Sequence, residues 1–118
     1  METKKLIEIL VKYLKKALYS SREFHTLIFD DNENTYKVNS AIAHLNQAHT
    51  YIHIANSLYI QHSEPGECSE FETAIHQFDV FNKEFLSSYS TNHSLQWTDI
   101  EFRKFEEDCN NFLEIFKF

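Results

Sequence analysis

The single proline and the single glycine of this chain are neighbours, Pro65-Gly66. That pairing limits the fold more than any other feature. Sheets with tight hairpins need several turn residues at positive φ, most often glycine. With one glycine beside one proline, the chain has little to reverse strands with. Helices joined by Asn, Asp and Ser loops are what remain, and the 118 residues are expected to form one domain, 1–118.

The stretch Val38 to His62 organises the rest. Val38, Ile42, Leu45, Ala48, Ile52, Ala55 and Tyr59 recur at helical spacing and make a main apolar stripe. Ala43, Tyr51, Ile54 and Leu58 make a second patch on about the opposite side. A helix that is apolar on two sides needs two neighbours. The outer patch is therefore expected to meet another protein or a second copy, as a homodimer through this helix.

Before it, Leu6, Leu10, Tyr13, Leu14, Ala17, Ser21 and Phe24 predict a helix from Glu2 to at least Ser21, with Phe29 as its furthest end. The run from Asp30 to Thr35 interrupts the pattern, and Asp30 with Glu33 has the spacing of a capping box. After it, Ser63-Glu64-Pro65-Gly66 is a turn. Ser69 and Glu72 then read as a capping box. The helix they open would bury Phe71, Ala74, Ile75, Phe78, Phe81, Asn82, Phe85, Leu86 and Tyr89. A last helix is expected from Thr98 as N-cap, with Glu101 completing the box and Trp97 stapled on Phe102. Its stripe is Phe102, Phe105, Cys109, Phe112, Leu113 and Phe116. Four helices with short connections predict an all-α, antiparallel four-helix bundle.

Charge narrows the partners. The net charge is −7, yet residues 1–22 hold six bases against two acids. The remainder is strongly acidic, which argues against nucleic acid and for a protein partner with a basic surface. No apolar run is long enough to span a membrane. The lysine-interrupted N-terminal segment lacks the features of a signal peptide. Two cysteines, Cys68 and Cys109, on or beside apolar stripes suit a reduced, cytoplasmic chain.

Seven histidines raise the question of metal. His49 and His53 are four apart, with His49 turned toward the core stripe, and His76 is four from Glu72. Together they would give a zinc- or iron-type ligand set. Against this, Glu72 and His76 fall on the polar side of their helix with Asp79 and Lys83. No cofactor is expected. A single glycine cannot build a phosphate loop, and thiols among apolar residues are poor nucleophiles. The reading that remains is a non-catalytic binding protein of inhibitor, immunity or adaptor type. Its candidate contact residues are Tyr51, Ile54 and Leu58 on the outer patch, and Glu72 and Asp79 on the polar strip.

Overall fold

The computed structural model describes residues 1–30 and 35–116. They form four helices, α1 (Thr3–Ile28), α2 (Thr35–His62), α3 (Ser69–Ser90) and α4 (Gln96–Ile115), with no strand among the described residues. The all-α, four-helix class is as the sequence predicts. The chain divides into two compact units, Met1–His62 and Ser63–Phe118, each a helical pair.

Every helix buries a seam whose positions advance by alternating steps of three and four. In α1 it is Leu10, Leu14, Ala17, Ser21 and Phe24, and in α2 Ala41, Leu45, Ala48, Ile52, Ala55 and Tyr59. In α3 it is Phe71, Ala74, Phe78, Phe81, Phe85 and Ser88, and in α4 Thr98, Phe102, Phe105, Cys109 and Phe112. That alternation averages 3.5 residues, the repeat that keeps two helices in contact along their length.

The two units fill the seam differently. In α2 alanine occupies every seventh position, Ala41, Ala48 and Ala55, where a small side chain lets a neighbouring helix come near. In the second unit the seam is mostly phenylalanine. Phe71 meets Phe112, Phe78 meets Phe105 and Phe81 meets Phe102 edge-on, with centroids 5.5, 5.2 and 5.6 Å apart. Low positions on α3 pair with high positions on α4, so the two run antiparallel. Each such ring pair adds about 0.5–1.5 kcal/mol beyond the area it buries. Gln77 also ties α3 to α4, its amide donating to the Glu101 carboxylate at 2.6 Å and to the Glu101 carbonyl at 3.1 Å.

The helix starts correct the sequence reading. Thr98 is not a cap. α4 begins at Gln96, where the backbone N–H of Gln96 donates to Ser94 Oγ at 3.2 Å. Thr98 lies within the first turn, fully buried, and its hydroxyl has no hydrogen-bond partner. The reason is register, because Thr98 stands four residues before Phe102 and so falls on the seam. Trp97, next to it, is 61% exposed rather than stapled on Phe102. The Ser69–Glu72 box does not form either. Cys68 takes the N-cap position, and Glu72 instead accepts the Gly66 N–H at 2.8 Å.

The Pro-Gly turn is as expected. Glu67 N–H donates to the Glu64 carbonyl at 3.1 Å, across Pro65 and a Gly66 at φ 80°. Only the third position of a type II turn needs that positive φ, and glycine supplies it. The Asp30–Glu33 box lies partly outside the described residues, though Asp30 pairs with Lys37 at 2.7 Å. On α3, Leu86 and Tyr89 are exposed and Ser88 takes the seam position instead. On α2, Val38 and Ile42 are half-buried, and Ala41 is the seam residue near the helix start.

Candidate functional site

In the first unit, lysines and tyrosines gather on one face. Tyr13 of α1 and Tyr51 of α2 approach to 6.2 Å between ring centroids, tilted by 37°. The Lys16 ammonium sits over both, 5.9 Å from the Tyr13 centroid and 5.6 Å from that of Tyr51. The Lys12 ammonium also lies over Tyr13, 5.7 Å from its centroid. A cation over an aromatic face at this range is held by the ring quadrupole, by roughly 0.5–1 kcal/mol at an exposed site. Ile54 and Leu58 follow Tyr51 by three and seven residues on the same side of α2, and all three are half-buried. The outer patch is thus partly covered, with Tyr13 against its Tyr51 end. Ala43, expected to belong to it, is exposed.

The histidines do not converge. His49 is exposed, not turned into the core, because the 3–4 seam passes through Ala48 and Ile52 and leaves position 49 outside. His53 and His76 are exposed as well. Among the described residues no three His, Cys, Asp or Glu side chains come close enough to share a metal ion.

On α3 the polar strip is laid out as helical spacing requires. Asp79 pairs with Lys83 at 2.9 Å on the surface, while Glu72 is turned back to the Gly66 amide. Glu72 therefore holds the turn, and Asp79 is already neutralised in part by Lys83. Neither stands as an isolated charge.

Sequence reasoning missed a shallow cleft of about 220 Å³ between the start of α3 and the end of α4, lined by Ser69, Glu70, Thr73, Asp108 and Asn111. Its walls come from residues far apart in the chain, so no local pattern could reveal it. Burial, helped by the neighbouring Glu107 charge, pushes the Asp108 carboxyl above the ordinary aspartate range. Burial likewise raises the Cys68 thiol, with the Glu70 and Glu72 charges adding to it and backbone hydrogen bonds opposing. Such a thiol has little thiolate at neutral pH and is a weak nucleophile. The Tyr13–Lys16–Tyr51 group was half legible. Lysines one before and three after Tyr13 put charge beside a ring, but only packing brings Tyr51 to it.

Charge divides with the fold. Residues 1–62 carry seven bases and six acids, whereas residues 63–118 carry four bases and twelve acids. No described helix is long and apolar enough to cross a membrane. Comparison with protein-family models, with curated proteins and with solved structures found no match for this chain.

Proposed function

We propose that this protein acts by binding another protein, in the manner of an inhibitor, immunity factor or adaptor, without chemistry of its own. One observation carries the reading. The α3–α4 unit concentrates a net charge of −8, twelve acids against four bases, on a 56-residue helical pair. Exposed Trp97, Tyr89 and Leu86 stand on the same unit. Acidic charge steers a basic partner in and selects it, and aromatic side chains give the area that holds it. Glu72 and Asp79 are among the acids of this unit. Tyr51, Ile54 and Leu58 make a second, apolar and aromatic surface on α2, suited to self-association. A cytoplasmic setting is part of the proposal, supported by two free cysteines, Cys68 and Cys109.

The test is affinity capture from native lysate followed by cross-linking and mass spectrometry. Cross-links should fall on residues 63–118, and Glu107→Lys with Asp108→Lys should abolish capture while leaving helicity unchanged. Capture of no protein would sink the reading, and capture that survives both reversals with cross-links confined to residues 1–62 would sink α3–α4 as the contact surface.

A further inference from the structure

We infer that the lysine–tyrosine face of the first unit seats the acidic α3–α4 unit of a second copy of this chain. This rests on reading both faces as binding surfaces, and it names the occupant of one of them.

Lys12 and Lys16 are exposed, and their ammonium groups rest on the rings of Tyr13 and Tyr51. Among the described residues the ion pairs include Asp30–Lys37, Asp79–Lys83, Asp99–Arg103 and Glu101–Lys104. Lys12 and Lys16 take part in none of them, so their charge is left for another molecule. Placing each ammonium over a ring orders a long, flexible side chain before any partner arrives. That removes part of the entropy cost that weakens most exposed ion pairs. Beside the lysines, Tyr51, Ile54 and Leu58 are half-buried and supply apolar contact area.

The seat therefore calls for an acidic occupant, and this chain carries one. The excess of eight acids in residues 63–118 contrasts with the near balance of residues 1–62. A second copy meeting this face with the same face would set Lys12 and Lys16 against their own counterparts. Like charges brought together across an interface oppose such a two-fold contact. Contact between unlike surfaces, the first unit of one copy with the second unit of another, removes that repulsion. Association by this route also covers acidic surface otherwise open to a basic partner, so the two bindings compete.

Sedimentation of the purified full chain tests this. At about 50 mM salt, mass should rise with concentration above that of the monomer, and about 500 mM salt should return it to monomer as the charges are screened. Lys12→Glu with Lys16→Glu should weaken association about tenfold or more, as should Glu107→Lys with Asp108→Lys. Mixing the two variants should restore association, because each then offers the intact surface that the other lacks. A parent that stays monomeric at millimolar concentration in low salt overturns the inference. So does association that neither salt nor either variant alters. Capture of a basic partner by α3–α4 does not need Lys12 or Lys16, so failure here leaves the proposed function standing. Failure of the parent chain to capture any basic partner, with self-association intact, would remove the proposed function alone.

Discussion

The two helical pairs solve one packing problem with opposite materials. Both advance along their seams by threes and fours, yet α2 gives half its seam to Ala41, Ala48 and Ala55, while α3 gives most of its seam to Phe71, Phe78, Phe81 and Phe85. Small side chains bring backbones together, and rings hold them apart and fill the space between. The α1–α2 pair shows what the first solution entails. With half the α2 seam given to alanine, larger apolar side chains such as Tyr51, Ile54 and Leu58 flank it instead, and Tyr13 reaches across to Tyr51. The same contrast appears in charge, since lysines stand above rings in one unit and acids crowd the other.

The contrast can be broken from either side. The largest effect should come from Phe105→Ala, because Phe105 packs against both Phe78 and Phe81, at 5.2 and 6.1 Å. Urea denaturation should show a loss of about 3–5 kcal/mol. A loss under about 1 kcal/mol would mean that the ring seam does not hold α3 to α4. Ala48→Phe makes the opposite error in the first unit, forcing a ring into a seam built for a methyl group. About 1–3 kcal/mol should be lost. Unchanged stability there would show that α1 and α2 are not closely packed at Ala48.

A smaller effect of the opposite sign sharpens the account of how α4 starts. Thr98→Val removes a buried hydroxyl that has no partner while keeping the shape, so stability should rise by about 1 kcal/mol. A true N-cap threonine would lose about that much on the same change. The sign of the shift in urea midpoint therefore separates a core threonine from a capping one. Ser21→Ala, at the corresponding kind of site in α1, should move the same way.

The smallest effect depends on pH. Burial raises the Asp108 carboxyl, so the folded state holds that proton more tightly than the unfolded chain. Its contribution to stability is fully present below the unfolded pKa and is lost as pH rises through the raised folded value. Asp108→Asn should thus raise the urea midpoint slightly at pH 7 and leave it unchanged near about pH 3. A gain of equal size at both pH values would place its cause outside ionisation.

Much of this was legible locally. The scarcity of glycine and proline excluded sheets, and apolar spacing placed four helices with ends close to those found. The Pro65-Gly66 turn followed from φ alone. The errors share one cause. Local spacing places Thr98, Leu86, Tyr89 and His49 only by neighbours a few residues away. An extended apolar stripe on a helical wheel has an indistinct edge, whereas a 3–4 seam does not. Thr98 looked like a cap because threonine three residues before glutamate usually is one, but its place four before Phe102 put it inside.

What the chain determined unaided was its helicity, its Pro65-Gly66 turn and the lopsided placing of its charge, since these depend on backbone freedom and residue order. Tertiary packing decided which side of each helix went inside, that Tyr13 and Tyr51 would share Lys16, and that Asp108 would line a cleft with Glu70. Those outcomes depend on how near two helices come. That distance is fixed by side-chain volumes summed along a whole seam, a quantity no short window of sequence contains.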